Sequence, residues 1–362
     1  MQDFKTLIVG GGLSGLALAD HLTQGGTDFL LIEAQDRLGG RIHGKTVEGQ
    51  NFDLGPAWIW PGQSRIAALS RRFGLAVFEQ FATGDLVFQD RSGAVQRGRG
   101  FASMQGSYRF AGGMTSLTDA LARSVPSKRI MTGARLVAIE TSRSGIVAEI
   151  VQDGTTRKIR VETIVLAVPP RVIAETVSFS PPIDPALIRS MAAVPTWMAG
   201  QAKILAVYDT PHWRNAGLSG DAMSQRGPMV ELHDASAASG GPYAIFGFVG
   251  VPADARIAHQ QDLLHLATEQ LVDLFGPEMA HPKDLILQDW ANVPEISRAQ
   301  DRIPVRSHPD YGLPEELRRM ATQGIHFGST ETGQFFGGFL EGALEAAERV
   351  ATDLATQVRQ RA

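Results

Sequence analysis

A glycine-rich turn near the start of the chain limits most strongly what this sequence can fold into. Residues 5–9 read as a short buried strand, and residues 10–15, Gly-Gly-Gly-Leu-Ser-Gly, follow at once. Apolar residues then recur at helical spacing through residue 22. A G-x-G-x-x-G match indicates dinucleotide binding when a strand precedes it and a helix follows it, as in this sequence. The helix N-terminus offers unpaired N–H groups and partial positive charge to phosphates, so the sequence predicts a dinucleotide site.

Individual residues of this segment have separate expected roles. Gly10 permits the tight turn, Gly12 lets the backbone approach a pyrophosphate, and Gly15 lets the helix pack on the strand. The next strand, residues 29–32, ends at Glu33, which has the spacing of the acid that binds an adenosine ribose. A 2′-phosphate would be repelled there, so NADP is disfavoured. The plain alternative is a tight turn in some other α/β protein.

The residues that follow resemble a known family. Residues 33–41, Glu-Ala-Gln-Asp-Arg-Leu-Gly-Gly-Arg, are similar to the signature of the FAD-containing amine oxidases, which include monoamine and polyamine oxidases and bacterial relatives. Residues 52–58 resemble the family's Asp-Leu-Gly turn, and residues 112–117 its Gly-Gly-Met motif. Residues 337–343 resemble its last motif, where a helix N-terminus faces the flavin.

The resemblance implies an α/β fold, in which a Rossmann-like FAD-binding domain (GR2-type) carries an inserted, smaller α+β substrate-binding domain. We expect the FAD-binding domain to comprise residues 1–76, 111–180 and 320–362, and the substrate lobe to comprise residues 77–110 and 181–319. The first part of that lobe is much shorter than in the monoamine oxidases, so their substrates cannot be transferred to this chain.

The resemblance also implies a set of FAD contacts, with Arg41 beside the pyrophosphate and Arg37 near the adenosine end. The residues expected to bind FAD are Gly10, Gly12, Leu13, Ser14, Gly15, Glu33, Ala34, Arg37, Gly40, Arg41, Gly55, Pro56, Ala57, Trp58, Leu136, Ser329, Thr330, Glu331, Gly338, Phe339 and Leu340. We expect non-covalent FAD, because the chain has no cysteine and nothing supports a histidyl link through His43. The Ser14 hydroxyl is expected to cap the helix or touch phosphate.

Lys203 is the candidate catalytic residue. It lies in a mostly apolar run, residues 202–208, that ends at Pro-His-Trp. This arrangement resembles the segment that carries the family's lysine, which holds a water against flavin N5. A buried ammonium is costly and its pKa tends to fall, so such a lysine can promote reaction with oxygen or proton transfer. A solvated lysine in a strand is the plain alternative.

The substrate end matches the family less well. Amine oxidases commonly flank the substrate nitrogen with two aromatic rings, and Phe339 falls at one of those positions. The other falls near residues 300–302, Gln-Asp-Arg, none of which is aromatic. Asp301 is therefore predicted either to bind a cationic amine or to be a surface residue paired with Arg302. His233 is interpreted as a loop histidine, because it has no partners at metal-ligand spacing.

Composition excludes several classes of function. The net charge of −4 favours neither nucleic acid nor an anionic membrane, and no apolar run approaches the length of a membrane span. The absence of cysteine excludes disulfides, thiolate metal sites and a cysteine nucleophile. We expect a soluble, cytoplasmic protein with a small-molecule substrate and no metal.

These observations predict an FAD-dependent oxidoreductase. The expected reaction is hydride transfer from a carbon bearing nitrogen to flavin N5, giving an imine, with O2 as acceptor and H2O2 as product. Two alternatives stay open because one fold supports several chemistries. The first is a dehydrogenase or desaturase acting on a carbon–carbon bond, and the second is a non-redox flavoprotein, either an isomerase or a flavin-binding regulator.

Overall fold

The computed structural model describes residues 2–361, except residues 101, 144, 304 and 306, and gives the backbone alone for residues 358–361. The α-helices are α1 (Leu13–Gln24), α2 (Ser64–Phe73), α3 (Thr115–Ser124), α4 (Pro170–Thr176), α5 (Pro185–Ala193), α6 (His212–Asn215), α7 (Ala253–Ala258), α8 (Gln260–Phe275), α9 (Glu315–Arg318) and α10 (Leu340–Arg361). Short 3-10 helices cover Ser127–Arg129, Pro277–Ala280, Trp290–Asn292, Ala299–Arg302, Arg319–Gln323 and Thr330–Thr332.

The strands are β1 (Gln2–Val9), β2 (Phe29–Ile32), β3 (Gly44–Val47), β4 (Gln50–Asp53), β5 (Val77–Glu79), β6 (Asp85–Gln89), β7 (Val95–Gly98), β8 (Tyr108–Phe110), β9 (Ile130–Met131), β10 (Ala134–Ser142), β11 (Gly145–Gln152), β12 (Thr155–Leu166), β13 (Ser178–Ser180), β14 (Ala202–Tyr208), β15 (Leu218–Ser224), β16 (Met229–Asp234), β17 (Tyr243–Val249), β18 (Asp284–Asp289) and β19 (Ile325–Phe327).

The first sheet has the order β13-β10-β11-β12-β1-β2-β9, and β19 pairs with β12. Strand β1 runs parallel to both β12 and β2, and β19 runs parallel to β12. The carboxyl ends of these parallel strands therefore meet at one edge of the sheet, which is where ligands bind in open α/β sheets. The glycine turn, Glu33 and the polar turn after β19 all follow such strand ends.

The parallel strands are apolar where both of their faces are covered, which is the case for β2 and for the last three residues of β1 and of β12. Ile8 belongs to a cluster formed with helices α1, α3 and α10, whereas Leu7 and Val9 belong to a cluster on the opposite face. Met191, Leu317 and Met320 join that second cluster. Met191 and Leu317, which lie near the two ends of the segment 181–319 expected to belong to the substrate lobe, thus pack on the first sheet. The division into domains given above stays a prediction.

The second sheet has the order β18-β14-β17-β16-β15-β6-β7. Alternation along β14 turns Ile204 and Ala206 toward a cluster that contains α8, and it turns Leu205 and Val207 toward the segment around Phe52. Lys203 has the same parity as Leu205 and Val207, so its side chain points to the face that meets the first lobe. No helix of the described residues is long and apolar enough to cross a membrane.

Candidate active site

A cavity of about 590 Å³ lies between the two sheets, within the range typical of small-molecule and cofactor sites. One end is lined by residues after β1 and β2, including Gly12 and Glu33, with Leu136 from β10. The other end is lined by Lys203 and Phe339. Residues far apart in the sequence thus form one continuous wall from the glycine turn to the second sheet.

The glycine turn folds as its sequence requires. Gly10 has φ of 108°, a conformation that favours glycine, and a Cβ on Gly15 would collide with the carbonyl oxygen of Gly10. A second turn packs on the first, since the N–H of Gly39 donates to the carbonyl of Gly11 at 2.9 Å. Among the described side chains, none caps the N-terminus of α1. Its first amides are therefore available to an anion in the cavity.

Glu33 lines the cavity beside this turn and is buried. Its carboxylate accepts hydrogen bonds from the N–H of Gly11 at 2.6 Å and from the N–H of Gln35 at 2.8 Å. Burial raises the pKa of Glu33, and these hydrogen bonds oppose the rise. Each oxygen keeps a second acceptor site, so the carboxylate can still receive a ribose hydroxyl.

Arg41 and the buried Glu331 form an ion pair between the second turn and the segment after β19, with Arg41 Nη1 2.6 Å from Glu331 Oε1. Apart from this ion pair, the Glu331 carboxylate has no hydrogen-bond partner among the described residues. The neighbouring Ser329 hydroxyl lines the cavity, is buried and likewise has no partner among them. Burial alone would lower the pKa of Arg41, but the Glu331 charge raises it, so the guanidinium stays charged.

These groups fit the expected dinucleotide. The uncapped helix start and Arg41 suit a pyrophosphate, Glu33 suits a ribose, and the Ser329 hydroxyl offers a polar contact that the described protein atoms do not use. FAD would accordingly be held along the wall from Glu33 to Phe339, with its adenosine end at β2.

Three of the residues predicted to bind FAD do not line the cavity. Gly15 packs against Gly10 of the glycine turn, and Glu331 forms an ion pair with Arg41. Arg37 donates to the carbonyls of Leu38, Gly40 and Ile42 and so fixes the second turn, and its place near the adenosine end stays a prediction. The other predicted residues line the cavity: Gly10, Gly12, Leu13, Ser14, Glu33, Ala34, Gly40, Arg41, Gly55, Pro56, Ala57, Trp58, Leu136, Ser329, Thr330, Gly338, Phe339 and Leu340.

The Ser14 hydroxyl does not cap the helix, and its contact with phosphate stays a prediction. It donates to the carbonyl of Gly328, at the end of β19, and makes no capping bond. Ser14 lines the cavity, and its side chain joins the glycine turn to the segment after β19. The sequence alone could not reveal this contact, because Gly328 is 314 positions away.

Lys203 is buried and lines the cavity. Its Nζ donates to the carbonyls of Gly55 at 2.7 Å and Asp53 at 3.3 Å, and lies 4.0 Å from the ring centroid of Phe246. Burial lowers the pKa of Lys203 to about 7, with the nearby Asp53 charge opposing the fall and Arg109 adding to it. Two carbonyls occupy two ammonium hydrogens, so one remains for a group in the cavity.

The wall around Lys203 is apolar, with side chains that the motifs did not indicate. They are Trp60, Met104, Trp197, Met198 and Phe248. Phe339 lies among them, and the His308 ring stacks on it at 4.7 Å with an interplanar angle of 9°. The second ring of the expected pair is not supplied by residues 300–302, and no pattern in the sequence identified Trp197 or His308 as neighbours of Phe339.

Asp301 does not reach the cavity wall. Its carboxylate pairs with Arg171 and accepts from the N–H of Arg298 at 2.9 Å, and the residue is only 6% exposed. The predicted surface pairing with Arg302 is also wrong, because Arg302 lies 3.2 Å from Asp254. Two buried charges that neutralise each other leave Asp301 unavailable to a substrate amine.

His233 is not a loop histidine. It lies on β16 with its ring buried between the carboxylates of Asp221 and Glu231. Glu231 lies two residues away on the same strand, whereas Asp221 lies on β15, so the proximity of Asp221 to His233 depends on strand register. Sequence spacing alone gave no sign of it.

Comparisons with known proteins agree with this arrangement. The family model described as "Flavin containing amine oxidoreductase" matches residues 13–100 and 84–355. A protein of Dictyostelium discoideum named "Probable flavin-containing monoamine oxidase A" is 23% identical over 448 aligned positions, covering 97% of each chain. A solved cyclohexylamine oxidase from Brevibacterium oxydans superposes with a TM-score of 0.81 at 19% identity, covering 99% of this chain and 100% of the other. A putrescine oxidase solved with putrescine superposes with a TM-score of 0.79 at 20% identity, covering 98% and 99%.

Proposed function

The chain belongs to the family of flavin containing amine oxidoreductases and is a flavin oxidoreductase with FAD as its cofactor, and we propose that it oxidises a small-molecule amine at the carbon–nitrogen bond. When bound, FAD supplies the acceptor for a hydride from the carbon next to nitrogen, and O2 then accepts the electrons as H2O2, leaving an imine that hydrolyses.

The observation that carries this proposal is the position of Lys203. Its ammonium is buried in the cavity wall, fixed by two backbone carbonyls and by the Phe246 ring. A pKa of about 7 lets this group hold or release a proton near neutrality. We therefore assign Lys203 the task of holding a water or a developing negative charge at the substrate end of the cavity.

The apolar wall around Lys203 supports an amine with an apolar substituent, in place of a diamine. Among the described lining residues, the carboxylates are those of Glu33 and Glu295. Glu33 lies at the opposite end of the cavity from Lys203, where it is expected to bind the ribose, and Glu295 is paired with Arg135. Neither is free to receive a distal ammonium, and Asp301 is held by Arg171. A second cationic end would therefore be desolvated without a partner, which costs several kcal/mol.

We also propose that FAD is bound non-covalently. The chain has no cysteine, and His43 lies outside the cavity lining, with its ring packed edge-on against Trp290. Acid precipitation of the purified protein should release all of the flavin into the supernatant, and flavin retained in the pellet would contradict this.

An anaerobic titration with amines tests the proposed reaction. Monoamines with aromatic or aliphatic substituents should bleach the flavin absorbance, and admission of air should restore it with one H2O2 per turnover. A Lys203→Met variant should bleach normally and recover slowly. If no amine bleaches a flavin that dithionite still reduces, the carbon–carbon dehydrogenase becomes the better hypothesis. Turnover with an unchanged flavin spectrum would instead favour a non-redox flavoprotein.

A further inference from the structure

His233 carries an unusual pair of contacts for a buried histidine. Its Nδ1 lies 2.6 Å from Asp221 Oδ1 and its Nε2 lies 3.0 Å from Glu231 Oε1, with the ring 1% exposed. An ionised carboxylate only accepts hydrogen bonds, so both ring nitrogens must donate, and the ring is an imidazolium. Asp221 Oδ2 is buried without a partner among the described residues, so His233 supplies the charge that compensates this carboxylate.

Strand register places this cluster on the same sheet face as Lys203. Lys203 pairs with Phe248, and Phe248 pairs with Glu231 on the next strand. Phe246 pairs with His233 one row along. The face that turns Lys203 toward the cavity therefore also carries His233 and Glu231, two strands away.

Trp58 connects the cluster to the cavity. Its ring lies 4.9 Å from the His233 ring in a T-shaped contact, and it also packs on Phe246 and Phe248. The indole Nε1 donates to Gln80 Oε1 at 2.9 Å, so the ring is held from two directions. Trp58 is also one of the residues that line the cavity.

We infer that His233 is a positioning residue whose imidazolium, fixed between Asp221 and Glu231, holds the Trp58 indole as a wall of the substrate end of the cavity. The T-shaped packing of the His233 ring on the indole restricts where the indole can lie, and the hydrogen bonds to Asp221 and Glu231 fix the His233 ring itself. This inference rests on the proposed function only for its kinetic readout, since the position of the indole can be measured without turnover.

The charges around His233 decide the direction of its titration. Asp221 faces it from β15 and Glu231 from its own strand, whereas β17 presents uncharged Phe246 and Phe248. On the same face, Lys203 lies against Phe246. Asp234, the next residue on β16, points to the opposite face and is bonded to Arg214. Burial would lower the pKa of His233, but the hydrogen bonds and charges of Asp221 and Glu231 raise it overall. The imidazolium and its two hydrogen bonds are therefore present on the acid side of this raised pKa, and the charge is lost on the alkaline side.

A Glu231→Gln variant tests the inference while keeping the fold. Glu231 is partly exposed, and an amide oxygen can still accept from Nε2, so the change removes mainly the charge. In the wild type, the KM for an aromatic monoamine should rise as the pH is raised. In Glu231→Gln, this rise in KM should begin about one pH unit lower. The rate of flavin reduction at saturating amine should change less than twofold. Glu269→Gln, which removes the carboxylate of an exposed pair with His265, is the matched control and should leave the profile unchanged.

The indole N–H resonance of Trp58, assigned with a Trp58→Phe variant of the FAD-loaded protein, gives a readout without turnover. The chemical shift of this resonance should change with pH in the wild type. In Glu231→Gln, the same change should occur at lower pH. If neither the rise in KM nor this resonance moves in Glu231→Gln, the inference is overturned. If the wild type oxidises no amine, the proposed function fails, and the resonance titration alone then decides whether His233 positions Trp58.

Discussion

The Nζ atom of Lys203 lies 2.7 Å from the carbonyl oxygen of Gly55, so a buried charge on the second sheet is held by the backbone of the cofactor wall. Because the pKa of Lys203 is lowered to about 7, the ammonium is present below that pH and lost above it. If its charge assists the reaction with O2, the second-order rate of flavin reoxidation should fall as pH rises through about 7. Stopped-flow mixing of reduced protein with O2 measures this rate.

The Lys203→Met variant should show a rate that is lower by about 100-fold at pH 6 and independent of pH. Lys203→Arg, whose charge persists across the range, should remove the alkaline decline. A rate that rises with pH in the wild type would assign Lys203 the role of a base in place of a cation.

Asp301 should behave as a structural residue and not as a substrate ligand. Asp301→Asn leaves the buried Arg171 charge uncompensated, which should lower the free energy of unfolding by about 3–5 kcal/mol. The preference between monoamines and diamines should not change. Denaturant unfolding and KM values measure both effects. Asp254→Asn, which breaks an exposed pair with Arg302, is the control and should cost less than about 1 kcal/mol.

Gly12 and Gly15 of the turn should respond differently to alanine. A Cβ on Gly12 meets no protein atom closer than 3.9 Å, so Gly12→Ala should fold normally but weaken FAD binding by about tenfold, or 1.4 kcal/mol. A Cβ on Gly15 meets the Gly10 carbonyl, so Gly15→Ala should destabilise the FAD-free protein itself by about 1–3 kcal/mol. FAD titration and thermal unfolding of the stripped protein separate the two. Equal loss of stability in both variants would argue against a cofactor role for Gly12.

Phe339 should contribute to substrate binding because its ring is held in the cavity wall by His308. Phe339→Ala should raise the KM for an aromatic monoamine by about tenfold, from loss of aromatic contact. Phe335, four residues earlier, is 81% exposed and outside the lining, so Phe335→Ala should leave the KM unchanged. Steady-state kinetics on both variants decide the matter, and an equal effect would place the substrate elsewhere.

The cofactor lobe could be predicted from sequence because its signals are local. The strand before Gly10, the acid at Glu33 and the glycine turn all lie within one continuous segment, and the structure places them as a single wall. Boundaries were less accurate, since residues 5–9 were expected to form the first strand, whereas β1 begins at Gln2.

The second sheet resisted prediction for a physical reason. Register between strands determines which of its site residues are neighbours, as in the row Lys203–Phe248–Glu231. The spacing of these residues along the chain does not reveal that register. The strand β16 was missed because Glu231, His233 and Asp234 are polar. Those polar side chains are tolerated inside the lobe only because each finds a partner across the sheet or from a neighbouring segment.

The bond from Ser14 to Gly328 has a consequence for biosynthesis. During translation, the glycine turn leaves the ribosome more than 300 residues before β19 and α10, which complete the pyrophosphate wall. At about 5–20 residues per second, the nascent chain waits at least about 15 seconds without a finished flavin site. The half-formed sheet then exposes the edge of β12 that β19 will cover, which is a template for aggregation. Truncation after residue 324 should therefore abolish flavin loading and solubility together, even though the whole glycine signature remains.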